Sequence, residues 1–396
     1  MSNDDLFDFM YDEVEVKPIE EEIQFPIQQE VAASMLIKKF ITDPCIADND
    51  YEIVEETAFD TGDGTFQTVN FKIPARPTLD HERVMWDIIN NFETRAWSAN
   101  AGGLKTGMAS FDKAFDGGWK PGFYVIAGDS NLGKTALETE IIWKIIDNNK
   151  NVFVQDFSLD DAMPDKLARM CASWNKVIIN AVKTPNNYQH MPLMLLRRKD
   201  ALNKLRANVD KYRAYDSNFS SFIEDIEQEI QAMKIELEKK DPNIQLVVGI
   251  DSFHDLNIKS LPSLTETQKY NMIAQWCADI AIKYDIVLIS TAELKKFEGS
   301  GSRRPGLGDL RESIKIRYEA KAIMLVYNAV HYKGDNADIF FMKQNCSQKQ
   351  PVFEVHIAKN KIHSYKGRFF YYFYPEMAYM EEVDDNTAKT FINLIS

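Results

Sequence analysis

Apolar residues recur along most of the chain in two alternating patterns. From about residue 104 onward, short apolar runs alternate with longer segments whose apolar positions recur every three or four residues. Because apolar strands joined by helices are typical of a sheet covered on both faces, we predict an α/β fold with a mainly parallel central sheet. The predicted strands are 123–127, 152–157, 246–250, 286–290, 322–327, 339–342, 353–358 and 369–373. Long helices are predicted at 134–148, 222–239 and 266–284, and the closely spaced last strands predict an antiparallel edge.

The segment before this α/β region has a different composition. Its first 22 residues carry nine acidic side chains against a single Lys17, which predicts a disordered acidic tail over residues 1–24. The tail also contains aromatic residues, so it is either an aromatic-anchored peptide that docks on a basic partner or a solvated tail. Residues 25–98 are predicted to form a small α+β module that serves packing or oligomerisation.

Two amphipathic helices and a hairpin are predicted within the small module. In the first helix, from residue 26, the residues near one face are Ile27, Val31, Met35, Leu36 and Phe40. The hairpin joins residues 51–59 and 66–73 through a Gly-rich turn. In the second helix, 79–95, the residues predicted to face inward are Val84, Met85, Ile88, Ile89 and Phe92. A boundary is predicted at 99–103, followed by the α/β domain at 104–380 and a tail at 381–396.

Composition and charge narrow the class of protein. The 396 residues are 45% hydrophobic and 27% charged, which is typical of globular proteins, and no apolar run has the length of a membrane span. The net charge of −14 argues against a protein coated with basic patches, so nucleic acid would need a local basic surface. Cys45, Cys171, Cys277 and Cys346 lack C-x-x-C spacing, which predicts reduced thiols and a cytoplasmic protein.

Residues 128–135 fit the phosphate-binding pattern G-x-x-x-x-G-K-[ST] between a predicted strand and a predicted helix. The glycines let backbone N–H groups turn inward as an anion-binding nest, and the helix start adds its positive dipole end. Lys134 can reach the β- and γ-phosphates of ATP, and the Thr135 hydroxyl suits Mg²⁺. The residues predicted to contact the nucleotide are Gly128, Asp129, Ser130, Asn131, Leu132, Gly133, Lys134, Thr135 and Ala136.

Two carboxylates at predicted strand ends add chemistry to this site. Asp251 ends an apolar strand and is predicted to hold Mg²⁺ through water or through Thr135. Asp160 follows the strand after the loop helix and is the candidate base that orients and deprotonates the attacking water. The alternative is that Asp160 is the N-cap of the next helix. His254, three residues after Asp251, is either a contact of the site or a hydrogen-bonded structural residue.

Several motifs occur together in the order found in one family. They are Thr106-Gly107, Ser110-Phe111-Asp112-Lys113, the phosphate loop, Phe157-Ser158-Leu159-Asp160, Asp251 and Asp309-Leu310-Arg311-Glu312-Ser313. Over residues 104–376 the chain resembles the DnaB-type replicative DNA helicases, and the last of these runs is the most discriminating. The resemblance implies a RecA-like ATPase motor that forms a ring, usually hexameric. Such a motor hydrolyses ATP between subunits and pulls single-stranded DNA through its channel in the 5′→3′ direction.

The resemblance also implies DNA-contacting residues. It places Arg311 and Glu312 on a channel loop that contacts the DNA backbone. The preceding Arg303 and Arg304 fit such a loop physically, since a basic surface attracts phosphates. A solvated surface loop with an incidental salt bridge is the alternative.

The chain departs from the family pattern at four positions. Lys361 stands where the family has an arginine finger that reaches the ATP of the neighbouring subunit, although lysines on an edge strand also discourage aggregation. Asp160 stands where the family has a catalytic glutamate. Glu293 stands where the family has a glutamine that senses the γ-phosphate, and Ile314 replaces a glycine after the Arg-Glu-Ser run.

Three hypotheses about function fit these residues. The leading one is an ATP-dependent replicative helicase of a phage or similar mobile element, acting in the cytoplasm of a bacterial host. Its expected partners are single-stranded DNA, further copies of the chain and, through the acidic tail, a primase, a loader or a single-strand-binding protein. The alternatives are a RecA- or KaiC-like DNA-binding or regulatory ATPase without unwinding activity, and a degenerate ring subunit that binds ATP but hydrolyses it poorly.

Overall fold

Two units make up the chain, Met1–Trp97 and Ser98–Ser396, and their boundary lies close to the predicted one. The computed structural model describes residues 39–41, 53–60, 66–73, 77, 79–96, 101–216, 218–294, 303–310, 314–343 and 346–395.

The strands are β1 (Lys39–Ile41), β2 (Ile53–Asp60), β3 (Phe66–Ile73), β4 (Gly122–Gly128), β5 (Val152–Ser158), β6 (Tyr212–Tyr215), β7 (Gln245–Asp251), β8 (Val287–Glu293), β9 (Ala322–Asn328), β10 (Phe340–Met342), β11 (Lys349–Asn360), β12 (Arg368–Tyr374) and β13 (Tyr379–Glu382). The helices are α1 (Asp80–Ala96), α2 (Ala109–Ala114), α3 (Lys134–Asn148), α4 (Met163–Asn175), α5 (Ile179–Lys183), α6 (Pro192–Ala207), α7 (Ile223–Lys240), α8 (Glu266–Lys283), α9 (Ile314–Glu319), α10 (Ala329–Lys333) and α11 (Asp385–Ile395).

The first unit contains the predicted hairpin. Strands β2 and β3 pair antiparallel from Ile53 opposite Ile73 to Asp60 opposite Phe66, which confirms it. Strand β1 pairs with β2 and places Phe40 opposite Glu55, so the prediction that Phe40 belongs to a helix is wrong. Strand pairing overrides the helical spacing at this position. The rest of that predicted helix, the acidic tail and Cys45 lie outside the described residues.

Helix α1 confirms the second predicted helix of this unit but not its environment. The residues predicted to face inward are 52% to 70% exposed: Val84, Met85, Ile88, Ile89 and Phe92. That part of the prediction is therefore wrong. A period of 3.6 residues identifies the apolar face of a helix, but it does not identify a surface that covers this face.

A ten-stranded sheet forms the centre of the second unit, in the order β13-β12-β11-β9-β4-β8-β7-β5-β6, with β10 paired to β11. The strands from β9 to β6 are parallel to their neighbours, whereas β11, β12 and β13 pair antiparallel. The predicted mainly parallel sheet with an antiparallel edge is thus confirmed. Because β4, β5, β7 and β8 are parallel, their carboxyl ends meet at one edge of the sheet.

Two hydrophobic cores lie on opposite faces of this sheet because side chains alternate along each strand. On β4, Tyr124 and Ile126 belong to the core beneath α3, whereas Phe123, Val125 and Ala127 belong to the core beneath α7 and α8. None of the helices described for this chain is long and apolar enough to cross a membrane. The cysteines among the described residues, Cys171, Cys277 and Cys346, are free thiols.

The Thr106–Lys113 motif connects the beginning of the second unit to its end. Asp112 accepts hydrogen bonds from the backbone N–H groups of Thr106 and Gly107, at 2.9 Å each. Glu382 on β13 accepts from the N–H groups at the start of α2, including that of Ser110 at 2.7 Å. In addition, Phe391 on α11 packs against Phe370 of β12. Residues 381–395, predicted as a tail, are therefore part of this unit.

Candidate active site

The phosphate loop connects the buried strand β4 to helix α3, as the pattern predicts. Gly133 has φ +98°, and a Cβ added there would lie 3.3 Å from ring atoms of both Phe353 and Phe373. A Cβ at Gly128 would lie 2.4 Å from Cγ2 of Val326. Both positions therefore require glycine, one for its backbone angle and both for space.

Polar contacts hold the loop in its conformation. Lys134 Nζ donates to the backbone oxygen of Asp129 at 2.9 Å, and Ser130 Oγ donates to Glu293 Oε1 at 3.1 Å. The hydroxyl of Tyr332, a residue that sequence reasoning missed, donates to the Asp129 carboxylate. Among the predicted nucleotide contacts, Leu132 and Ala136 are buried, so only their backbone groups can face a phosphate.

A cavity of about 350 Å³ opens beside this loop. Its lining includes Lys134, Thr135, Asp160, Asp251 and Glu293, which the sequence had placed on the loop, on the first turn of α3 and at three strand ends. Asn131, Gly133 and Ala136 also line it. The common strand edge is the reason that residues separated by more than 100 positions meet in one place.

Four carboxylates surround the loop lysine. Burial lowers the pKa of Lys134, while the negative charges of Glu293, Asp251, Asp129 and Asp160 act in the opposite direction. The net direction is downward, and the four carboxylates neutralise part of the charge of the ammonium group. A triphosphate would replace that neutralisation with its own charge.

Asp251 and Thr135 form the candidate Mg²⁺ site. Asp251 lies at the end of β7 and is 2% exposed. Its Oδ1 accepts a hydrogen bond from Thr291 Oγ1, whereas its buried Oδ2 has no hydrogen-bond partner among the described residues. A carboxylate oxygen and a hydroxyl beside a cavity are hard oxygen donors of the type that Mg²⁺ prefers, so these residues fit the ion.

Asp160 lies on a short loop between β5 and α4 that is fixed through its backbone. The N–H groups of Leu159 and Asp160 donate to the backbone oxygen of Asp251, at 2.6 and 3.1 Å. Partial burial and the charge of Asp255 raise the pKa of Asp160, and further carboxylates add to the shift. The alternative that Asp160 caps the following helix is wrong, because the N-cap of α4 is Ala162.

Arg169 on α4 lines the cavity, and sequence reasoning missed it as well. Its Nη1 lies 2.6 Å from Asp161 Oδ2, and this hydrogen bond raises the pKa of the arginine. The signal available in the sequence was only a cation eight residues after Asp161 on a predicted helix. Arg169 thus adds a positive charge, paired with Asp161, to the lining of the cavity.

His254 takes the structural role that was one of its two alternatives. Its Nδ1 accepts a hydrogen bond from the backbone N–H of Glu293 at 3.2 Å. Its ring packs edge-on against Tyr270, with 4.9 Å between ring centroids. His254 therefore supports the end of β8 and with it the position of Glu293.

Lys361 lies at the opposite end of the sheet from the phosphate loop of its own chain. Strand β11 is antiparallel to β9 and places Asn360 opposite Ala322, at the start of β9, whereas the loop follows the end of the neighbouring β4. The exposed Lys361 donates from Nζ to the backbone oxygen of Tyr318 at 2.7 Å, and Lys359 contacts the same oxygen at 2.8 Å. Both lysines thus cover the carboxyl end of α9.

The two arginines predicted to contact DNA have carboxylate partners within the chain. Arg303, whose side chain is 54% exposed, forms two hydrogen bonds with Asp309. Arg304 forms hydrogen bonds of 2.7 to 2.9 Å with the fully buried Glu354 and one of 3.0 Å with Asp338. The predicted DNA contacts Arg311 and Glu312 lie outside the described residues.

Comparisons with known proteins agree with this geometry. Residues 103–380 match the family model described as the DnaB-like helicase C terminal domain. The chain is 27% identical over 239 residues to a probable replicative DNA helicase of Trieres chinensis, covering 59% of this chain and 49% of that protein. It is 26% identical over 248 residues to the replicative DNA helicase DnaB of Mycoplasma pneumoniae, covering 60% and 49%. The chain thus spans about half the length of the curated relatives it matches.

Solved structures show the same fold. A structure described as an ATPase domain superposes with a TM-score of 0.61 at 19% identity, covering 78% of this chain and all of that one. A DnaB-like replicative helicase, studied with its interactions with primase, gives a TM-score of 0.60 at 20% identity, covering 75% and 67%. The second unit therefore has the RecA-like ATPase fold that the sequence predicted.

Proposed function

The chain belongs to the DnaB-like helicase C terminal domain family, and from this premise we propose that it is an ATP-driven, ring-forming DNA helicase of replication. The proposal depends mainly on one observation: the residues assigned to ATP hydrolysis lie at two opposite ends of the strands of one sheet. The phosphate loop, Asp160 and Asp251 lie at one edge, and Lys361 lies near the other. This separation supports the proposal that a second copy of the chain supplies Lys361 to the cavity.

Binding of ATP is assigned to the loop and the start of α3. The backbone N–H groups of residues 129–135 would contact the phosphate oxygens, and Lys134 would leave the Asp129 carbonyl to reach the β- and γ-phosphates. Thr135 and Asp251 would hold Mg²⁺. When bound, this ion neutralises negative charge on the β- and γ-phosphate oxygens.

Hydrolysis is assigned to Asp160 together with two lysines. Asp160 orients the attacking water and accepts its proton as the water oxygen bonds to the γ-phosphorus and the bond to the β-phosphate oxygen breaks. Lys134 from within, and Lys361 from the adjacent copy, stabilise the charge on the transferring phosphoryl group. Glu293 would sense the γ-phosphate through its hydrogen bond to Ser130, because an anion beside that hydroxyl repels the carboxylate.

Contact with single-stranded DNA is assigned to the segment that contains Arg311 and Glu312, with Arg303 at its edge. Arg303 is half-exposed and pairs with Asp309, whereas Arg304 is held by the buried Glu354 and the partly buried Asp338. We expect Arg311→Ala to lower DNA-stimulated ATP hydrolysis far more than basal hydrolysis. Equal losses would place Arg311 in the fold of the domain. Movement along DNA in the 5′→3′ direction is proposed from the family.

Further partners are proposed on the same basis. A primase, a helicase loader or a single-strand-binding protein would bind the acidic segment at residues 1–24, whose aromatic residues suit a basic apolar surface. The assembly is proposed to be a hexamer of identical chains. The proposed location is the cytoplasm, in a bacterial host if a phage encodes the protein.

Hydrolysis of ATP with and without single-stranded DNA tests the proposed function. Turnover is expected to rise when DNA is added, and Lys134→Ala is expected to abolish it. The matched control is Lys240→Ala, an exposed lysine at the end of α7 whose loss should leave turnover unchanged. Hydrolysis indifferent to DNA would favour a regulatory ATPase, and nucleotide binding without turnover would favour a degenerate ring subunit.

A further inference from the structure

A buried cluster of charged side chains lies directly beneath the candidate active site. It consists of Lys166, Glu138, Asp156 and Tyr212, and no step of the proposed mechanism uses it. Lys166 Nζ lies 2.7 Å from Asp156 Oδ1 and 2.9 Å from Glu138 Oε2, and these three side chains are at most 1% exposed. The Tyr212 hydroxyl donates to the second oxygen of Asp156 at 2.7 Å.

Burial of a charged lysine without a partner is unfavourable, so Lys166 depends on the two carboxyl groups that it contacts. Burial lowers the pKa of Lys166, but the charges of Asp156 and Glu138 outweigh it, and the net direction is upward. Burial raises the pKa of Glu138 well above its usual range. The cluster thus joins one ammonium group to two carboxyl groups that lie on two other elements.

Lys166 lies between the elements that carry the residues proposed to hydrolyse ATP. Asp156 lies on β5 and Lys166 lies one turn into α4, so their ion pair closes the segment that carries Asp160. Glu138 lies on α3, three residues after Thr135 and therefore on a neighbouring part of the same helix face. A single ammonium group connects the loop of the candidate base to the helix that binds the phosphates.

The cluster also reaches the strand that carries Asp251. A Cβ added at Gly249, two residues before Asp251, would lie 2.9 Å from Glu138 Oε1 and 3.1 Å from Asp156 Oδ1. Glycine at this position lets both carboxyl groups approach the backbone of β7. The three elements that hold Thr135, Asp160 and Asp251 are therefore in contact with one buried group of side chains.

We propose that Lys166 is a positioning residue for ATP hydrolysis, which sets the distance between the Asp160 loop and the phosphate-binding helix through its contacts with Asp156 and Glu138. This inference rests on the proposed ATPase activity. Lys166 is not among the residues that line the cavity, so its loss is expected to affect the chemical step more than the binding of ATP. Misplacement of a catalytic group by about 1 Å costs up to about 100-fold in rate.

The test uses the full chain with the double substitution Lys166→Met/Asp156→Asn. It removes the tether, and because burial raises the pKa of Glu138 once its cation is lost, the remaining carboxyl group can take up a proton and become neutral. The amide oxygen of asparagine can still accept from Tyr212. We expect kcat to fall by about 10-fold or more while the affinity for ATP changes by less than about threefold. The matched control is Lys183→Met/Asp165→Asn, which removes a partly exposed ion pair between α5 and α4 and should leave kcat unchanged.

A cycle with Asp160→Asn separates positioning from general destabilisation. If Lys166 acts through Asp160, the double substitution should cost little further activity when Asp160 is already asparagine. Multiplicative losses, an unchanged kcat in the folded variant, or parallel losses of kcat and ATP affinity would overturn the inference.

A second variant keeps the inference testable if the double substitution does not fold. Glu138→Leu leaves the Lys166–Asp156 pair intact and removes only the contact to α3, and it should lower kcat by about threefold at constant ATP affinity. An unchanged kcat would again overturn the inference. Failure of the wild-type chain to hydrolyse ATP would instead refute the proposed function, so the two failures are distinguishable.

Discussion

Replacement of Arg304 by methionine distinguishes a structural arginine from a DNA-binding one. Arg304 makes its strongest contacts with Glu354, whose side chain is fully buried on β11. Methionine keeps the apolar stem but removes every hydrogen bond that Arg304 donates to Glu354 and Asp338, while Asp338 keeps the one from Lys333. The nearest remaining cation is Arg368, with Nη1 3.9 Å from Glu354 Oε2.

The expected loss of stability follows from this burial. Removal of one partner of a buried ion pair costs about 3–5 kcal/mol, because the other charge is left uncompensated. The matched control is Arg303→Met, whose partner Asp309 keeps a hydrogen bond from the Gly306 N–H at 2.7 Å. Since the Arg303 side chain is more than half exposed, its loss should cost about 1 kcal/mol or less.

The loss of stability caused by Arg304→Met should also depend on pH. Burial raises the pKa of Glu354, and Arg304 acts in the opposite direction, so removal of Arg304 raises this pKa further. A group with a raised pKa in the folded state favours folding at low pH and loses that contribution as the pH rises through the folded-state pKa. The penalty of Arg304→Met should therefore be smaller in mildly acidic buffer than at neutral pH.

Urea unfolding followed by tryptophan fluorescence, together with fluorescence anisotropy of labelled single-stranded DNA, measures both properties. We expect Arg304→Met to lower the unfolding midpoint at neutral pH while DNA affinity per folded molecule stays near that of the wild type. A variant with wild-type stability and weakened DNA binding would refute the structural role.

Three further perturbations test the site itself. In mixed assemblies, an excess of Lys361→Ala subunits should lower ATP hydrolysis more steeply than the fraction of wild-type subunits falls, because each variant subunit disables its neighbour's site. Activity proportional to the wild-type fraction would contradict a role between subunits. Glu293→Gln removes the carboxylate with the largest influence on the pKa of Lys134. It should tighten ATP binding by about threefold to tenfold in a nucleotide titration, because a negative charge that repels the phosphates is lost. Unchanged or weaker binding would contradict this electrostatic explanation. Asp160→Asn should lower kcat by about 100-fold or more and remove the acid limb of the pH profile. In the wild type this limb should lie above the usual aspartate range, because the pKa of Asp160 is raised. An acid limb that persists in the variant would belong to another group.

The parts of the fold predicted from sequence are those with local signals. Strand β4, the glycines of the phosphate loop and helix α3 follow one another within about 30 residues, and each has its own pattern. The carboxylates Asp160 and Asp251 could be placed because parallel strands end at one edge. The antiparallel edge followed from the short connections between the last strands.

The parts that sequence reasoning missed depend on partners far along the chain. Arg304 resembled a basic DNA-binding residue because Asp338 and Glu354, its partners, are 34 and 50 positions away. Lys166 was not singled out from the sequence, since Asp156 and Glu138 reach it only once three elements pack together. Strand β6 has only four residues, too few for a clear periodic signal, whereas helix α11 was predicted as a tail although its apolar positions follow a helical period.

Strand separation on a forked DNA substrate tests the central claim most directly. The full chain with ATP and Mg²⁺ is expected to separate a fork that carries a 5′ single-stranded tail. It should not separate a fork with only a 3′ tail, and Lys134→Ala or a non-hydrolysable ATP analogue should abolish the reaction. Hydrolysis of ATP stimulated by single-stranded DNA without separation of the 5′-tailed fork would contradict the assignment of this chain as a replicative helicase.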